Sequence, residues 1–215
     1  MLQTDLFQGV EERDAVPHVG VVPTGVTVIP NFISRAEEHQ LLQLIDEESA
    51  LVPWRNDLRR RVKHYGYKYD YKTREISQDD KLADLPAWAQ RIGKRLTMNG
   101  YFSSPPDQMI INEYLPGQGI SAHVDRDTCF GDSVASISLG SDIVMDFSSL
   151  DSQETGQILL PSRSAIILAG AARFRYTHGI AARKRDILAG ISLTRARRVS
   201  LTFRTVILRK HIGFV

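Results

Sequence analysis

An α+β domain with a jelly-roll-like core is predicted, its helices first and its strands after. Two helical patterns, near residues 34–49 and 85–100, precede a second half made of short apolar runs divided by Pro, Gly and Ser. Strands at such spacing build a sandwich or barrel, and helices segregated from strands are the α+β arrangement. The 215 residues, 42% hydrophobic and 24% charged, suffice for one globular domain with a sizeable core.

Residues 1–22 are polar and without period, and are expected to form an extended arm ahead of a domain at 23–215. "GVTVIPNFIS" gives a strand at Val26–Ile29 that turns at Pro30. Ser34 then caps a helix, because Glu37 three residues on completes a capping box. In "RAEEHQLLQLIDEES" the apolar stripe is Leu41, Leu42, Leu44 and Ile45. "LPAWAQRIGKRLTMNG" supplies the second helix, stopped by Gly100. The runs "DQMIINEYLP", "SVASISLGSDIVMDF", "GQILLPSRSAIILAG" and "RRVSLTFRTVIL" are β-rich, and the third is expected to be a hairpin turning at Pro161–Ser164.

No apolar run approaches the roughly 20 residues that cross a bilayer, and the N-terminus lacks a basic segment followed by an apolar one. The single cysteine, Cys129, excludes an intramolecular disulfide and fits a reducing compartment. A cytoplasmic protein without membrane association is therefore expected, with a monomer as the default for an oligomeric state the sequence leaves open. Net charge is only +2, but basic residues cluster in "RNDLRRRVKH", "RKR" and "RARR". They are either solvated surface or contacts to an anionic partner such as nucleic acid.

The chemistry-bearing residues sit in "ISAHVDRDTCF". On an extended chain His123 and Asp125 project to one face, and "YTHGI" offers His178 as a third donor. Two histidines and a carboxylate make the facial triad that holds non-haem Fe(II); an isolated H-x-D is otherwise surface decoration. In "RRVSLTFR", Val199, Leu201 and Phe203 alternate with Arg198, Ser200, Thr202 and Arg204. The polar set either faces water or lines a barrel interior. Inside, two guanidinium groups need anionic partners, and a dicarboxylate matches their bidentate geometry. Asn112 and Tyr114, two apart in "INEYLP", add donors on one face.

Together "NEYLPGQGISAHVD", "SISLGS", "HGI" and "RRVSLTFR" resemble the AlkB family of Fe(II)- and 2-oxoglutarate-dependent dioxygenases, over roughly residues 23–208. The resemblance implies a double-stranded β-helix (jelly roll) with a nucleotide-recognition lid, here within about residues 50–80. It also implies Fe(II) on His123, Asp125 and His178, with 2-oxoglutarate held by Asn112, Tyr114, Arg198, Arg204 and Ser200. Loss of Arg204 is expected to remove 2-oxoglutarate binding and to leave metal binding largely intact. Within the family, "RRVKHYGYKYDY", "PDQMIINEYLPGQGI" and "RFRYTHGI" look most like the AlkB domain of the animal tRNA wobble-uridine hydroxylase, without room for that protein's further domains. Asp127 instead matches an acidic residue of the repair-type enzymes. Ser200 stands where the bacterial repair enzyme has Asn.

The activity implied is oxidative demethylation of alkylated bases in DNA or RNA. O2 and 2-oxoglutarate are consumed, succinate and CO2 are formed, and the hydroxylated N-methyl group leaves as formaldehyde. The substrate form expected is a single-stranded or flipped methylated base. Asp127 is expected to read a cationic lesion, and Tyr65, Tyr67 and Arg61 to contact base and phosphate. Alternatives are a hydroxylase of a tRNA nucleoside or of a protein side chain, and a metal-binding module without turnover.

Overall fold

The apolar runs of the second half pair into two facing antiparallel sheets in the computed structural model, which describes residues 16–48, 52–56 and 58–208. The six-stranded sheet has the order β2 (Val26–Ile29), β9 (Ala165–Leu168), β6 (Phe130–Gly140), β13 (Arg198–Val206), β4 (Gln108–Tyr114), β3 (Arg61–Tyr65). The five-stranded sheet has the order β1 (His18–Gly20), β8 (Thr155–Leu160), β7 (Ile143–Ser149), β10 (Tyr176–Ile180), β5 (Ile120–His123). A separate hairpin joins β11 (Arg185–Leu188) to β12 (Ile191–Thr194). Among the described residues three α-helices complete the fold: α1 (Arg35–Glu47), α2 (Ala87–Met98) and the short α3 (Gly170–Phe174). Of the expected N-terminal arm, residues 1–15 lie outside the described residues, as does Ser49 at the end of the expected first helix. β1 adds to the edge of β8. Among the described residues no helix is long and apolar enough to cross a membrane.

Alternation along each strand sorts side chains into two cores. Met109 and Ile111 of β4, Ala135, Ile137 and Leu139 of β6 and Val199, Leu201 and Phe203 of β13 face the helices. There they meet Leu41 and Ile45 of α1 and Trp88, Ile92 and Leu96 of α2, all buried. Each buried Val, Leu, Ile, Met or Phe among them contributes about 1.5–3 kcal/mol through the apolar area it loses to water. The opposite faces enclose a second core between the sheets, with Val134, Phe147, Ile158, Ile166 and Ile180. Ser34 caps α1 as its spacing predicts: the Glu37 N–H donates to Ser34 Oγ at 3.1 Å, and the Ser34 N–H donates to Glu37 at 2.8 Å. Gly100, at φ +78°, follows the end of α2 in the left-handed conformation that a closing glycine adopts.

The expected hairpin at Pro161–Ser164 is not there. β8 pairs with β7 in one sheet, while β9 pairs with β6 and β2 in the other. Residues 161–164 are therefore a corner at which the chain changes sheets. β6 and β7 change sheets beside it, through Gly140 at φ +84°. The two bent arms run antiparallel, and their common tip lies between β7 and β8, near residues 150–154. The runs "QILL" and "AIIL" are each buried by a different sheet, so neither needs the other as a partner.

Candidate active site

β13 forms the floor of the site. Its inward residues Arg198, Ser200, Thr202 and Arg204 line a cavity of about 320 Å³, joined by Ile110, Asn112 and Tyr114 from neighbouring β4. The parity expected for a barrel interior is therefore met on both strands, and Ser200 lies directly opposite Asn112. Across the cavity, β5 and β10 bring His123 and His178 into register as direct partners. Asp125 follows two residues beyond His123, just past the end of β5. One donor atom from each of these three side chains lies within 4.8 Å of the others.

Several contacts fix these groups. Ser121 O accepts from His123 Nδ1 at 2.8 Å, so that nitrogen carries the proton and Nε2 keeps its lone pair for a ligand. Asp125 Oδ1 pairs with Arg204 Nη2 at 2.6 Å. Its Oδ2 is buried without a hydrogen-bond partner and faces His178 Nε2 across 3.6 Å. Burial alone would raise the Asp125 carboxyl, but Arg204, His178, His123 and Arg173 outweigh it and hold the group well below the usual carboxylate range. Burial pushes His178 down to about 4, against the pull of Asp125. An ionised carboxylate and a neutral imidazole thus face each other at neutral pH. That donor set suits a divalent cation, which would also satisfy the orphaned oxygen.

The deep end of the cavity suits an anion. Arg198 is fully buried; its Nη2 donates to Ser138 Oγ at 2.9 Å, while Nε and Nη1 are buried without a partner. Its guanidinium lies 5.3 Å from the centre of the Tyr114 ring. Burial draws its pKa down to about 10, so it stays charged at neutral pH. A buried guanidinium with two unused donors is costly unless an acceptor arrives. A carboxylate would supply it.

Comparison with known proteins now adds to the geometry. The profile of the 2OG-Fe(II) oxygenase superfamily matches residues 25–204. A mouse protein, tRNA (carboxymethyluridine(34)-5-O)-methyltransferase ALKBH8, is 40% identical over 169 residues, covering 77% of this chain and 25% of its own length. The chain belongs to this superfamily, in its AlkB branch. An alkylated DNA repair protein ALKBH8 homolog of Arabidopsis thaliana is 34% identical, covering 87% of this chain and 59% of its own. This oxygenase spans about a quarter of the length of the mouse relative. Its fold matches the solved structure of OsALKBH1 with TM-score 0.65 at 17% identity, over 88% of this chain and 100% of that one. A prolyl-4-hydroxylase of Pseudomonas putida matches with TM-score 0.56 at 12% identity, over 86% and 94%. Both share the jelly roll, and the family's cofactors are Fe(II), 2-oxoglutarate and O2.

None of the four residues expected at the substrate lines the cavity. Tyr65 and Arg61 lie on the helix-facing side of β3. Tyr65 packs against Trp88 and donates to Glu48 at 3.1 Å, and Arg61 forms a two-pronged ion pair with Glu113. Tyr67 is buried with Ile76, Cys129 and Phe130 and is not part of the cavity wall. Asp127 is exposed in the loop after Asp125 and is not part of the cavity wall. From this part of the chain it is Arg60, Tyr69, Tyr71 and Arg74 that reach the cavity. Strand parity accounts for Arg60: Val62 is opposite Asn112 and Arg61 opposite Glu113, so the even-numbered side chains at β3 face inward, whereas Tyr69, Tyr71 and Arg74 come from the segment that follows the strand. Arg173 was also missed. Fully buried, it donates to the backbone oxygens of Asp125, Phe130 and Gly131 and holds the loop that carries Asp125.

Three arginines of the two later basic clusters form structural ion pairs, while Lys184 and Arg185 stay exposed. Arg183 and Arg195 pair with buried Asp186, and Arg197 pairs with Glu113 and Asp46.

Proposed function

We propose that this oxygenase removes an N-methyl group from a base in single-stranded or flipped-out nucleic acid, as formaldehyde, while 2-oxoglutarate becomes succinate. His123, Asp125 and His178 hold the iron. Arg198, Tyr114, Asn112 and Ser200 receive the distal carboxylate of 2-oxoglutarate, and Arg204 steadies Asp125 beside the metal. When bound, Fe(II) and 2-oxoglutarate activate O2 for attack on a C–H bond.

The chain's own part is positional. Arg173 and Arg204 clamp Asp125 through its backbone and its side chain, so the carboxylate needs no rearrangement to bind an ion. Ser121 sets the tautomer of His123. The apolar residues Ile110, Met145, Ile166, Leu168 and Ile180 restrict water at the reacting centre.

One observation carries the substrate class: the cavity that holds the three metal-ligating candidates is also lined by Tyr69 and Tyr71 beside Arg60, Arg74 and Arg126. Aromatic faces stack bases and guanidinium groups meet phosphate, and a base must leave its stack to reach a buried site. The printed names of the mouse and Arabidopsis relatives refer to tRNA and to alkylated DNA. A buried, unpaired Cys129 is in keeping with a cytoplasmic setting.

A second reading, hydroxylation of a modified tRNA nucleoside, is favoured by a different observation. Among the described residues Asp125 is the only carboxylate in the cavity wall, so a cationic base would find no counter-charge there beyond the metal ligand. Mass spectrometry of nucleosides after reaction with methylated single-stranded DNA, RNA and bulk tRNA separates the two. Loss of a methyl group supports demethylation, and gain of one oxygen supports hydroxylation. An unchanged nucleoside profile under conditions that yield succinate would contradict both.

A further inference from the structure

The lid and the anion-binding end of the cavity meet at one hydrogen bond. Arg60, immediately before β3, donates from Nε to Asn112 Oδ1 at 2.8 Å. Its guanidinium lies 5.9 Å from the centre of the Tyr114 ring, which Arg198 also approaches. Arg60, Asn112, Tyr114 and Arg198 all line the cavity.

A primary amide offers one acceptor oxygen and one NH2 donor. With Oδ1 committed to Arg60, Nδ2 is what Asn112 presents to a ligand. The reversed amide would set an oxygen lone pair against an incoming carboxylate and leave Arg60 Nε facing an N–H. We propose that Arg60 is a positioning residue for the cofactor: it fixes the Asn112 amide with its NH2 toward 2-oxoglutarate, and so makes the lid part of the cofactor's hold. The inference rests on 2-oxoglutarate occupying this cavity as assigned above, and it is independent of which substrate the enzyme oxidises.

The test is calorimetry of 2-oxoglutarate binding to protein loaded with Mn(II), which needs no turnover. Arg60→Met and Asn112→Ala should each weaken binding about tenfold, the scale of one hydrogen bond to a charged group. The double variant should bind no more weakly than Asn112→Ala alone, since Arg60 then has nothing left to orient. Arg60→Gln places an amide nitrogen where Nε stood, and should recover most of the affinity without the charge. Mn(II) affinity should be unchanged throughout, and thermal unfolding of each variant establishes that it is folded.

Unchanged affinity in Arg60→Met would overturn the proposal. So would multiplicative losses in the double variant, or a Gln variant as weak as Met, because either makes Arg60 an independent charge. Arg198→Met reports on the underlying reading: if it leaves 2-oxoglutarate affinity intact, the cofactor assignment fails rather than the role of Arg60.

Discussion

Arg204 Nη2 and Asp125 Oδ1 meet at 2.6 Å, so the strand that carries the buried Arg198 also grips the carboxylate of the candidate metal site six residues later. The two arginines therefore do different work. Arg198 has no carboxylate partner among the described residues, whereas Arg204 already has one. The expectation that loss of Arg204 would spare the metal changes accordingly. Arg204→Met should weaken both metal and 2-oxoglutarate, since it also leaves a buried carboxylate without its partner. Arg198→Met should lower 2-oxoglutarate affinity by about 100-fold, the scale of losing a buried charged contact, with metal affinity kept. Titrating each variant with Mn(II) and then with 2-oxoglutarate distinguishes them.

Gly179 explains the glycine after His178. A Cβ there would lie 2.9 Å from Ala122 N and 3.0 Å from Ala122 Cα, both backbone atoms of β5. Gly179→Ala must push β5 and β10 apart and with them His123 and His178. Metal affinity is expected to fall at least tenfold while the urea midpoint moves modestly. A variant with wild-type Mn(II) binding would show that the strands absorb the methyl elsewhere.

Asp186 is fully buried and accepts from Arg183, twice from Arg195 and from the Val144 N–H, tying the β11–β12 hairpin to β7. Asp186→Ala leaves the buried Arg195 without its counter-charge. A loss of about 3–5 kcal/mol is expected in urea unfolding, the usual result of removing one partner of a buried pair. A loss below about 1 kcal/mol would mean that water enters and replaces the carboxylate.

Acid should destabilise the metal-free protein through the same side chains. His178 falls to about 4 in the folded state and rises to about 6.5 when unfolded. Between those values the unfolded chain binds more protons, so folding stability declines as pH drops from 6.5 toward 4, by roughly 3 kcal/mol at most. The depressed Asp125 carboxyl adds a loss of the same sign at lower pH, as it protonates. Urea midpoints measured from pH 7 to pH 4.5 should fall in wild type and flatten in His178→Gln. Equal slopes in both would place the titration on other groups.

Local patterns were legible in the sequence. The Ser34–Glu37 cap needs only neighbours three apart, and the alternation in "RRVSLTFR" separates core from cavity once the strand has two covered faces. What depends on pairing was not. Which side of β3 carries Tyr65 and Arg61 follows from register with β4, some 50 residues on, and it turns both from the cavity. The turn placed at Pro161–Ser164 became a corner because the partners of β8 and β9 lie on different sheets. Arg60 and Arg173 act on groups 52 and 48 residues away, and no local spacing marks them.

If the proposed function holds, one cavity couples 2-oxoglutarate turnover to oxidation of a methylated base. That coupling is tested most directly by adding O2 to protein reconstituted anaerobically with Fe(II) and 2-oxoglutarate, then following succinate and formaldehyde together with methylated single-stranded DNA, RNA and tRNA. Both products should rise in equal amounts with one nucleic acid, and neither should rise in Arg198→Met. Succinate that forms at the same rate with and without every nucleic acid, and never with formaldehyde, would contradict it.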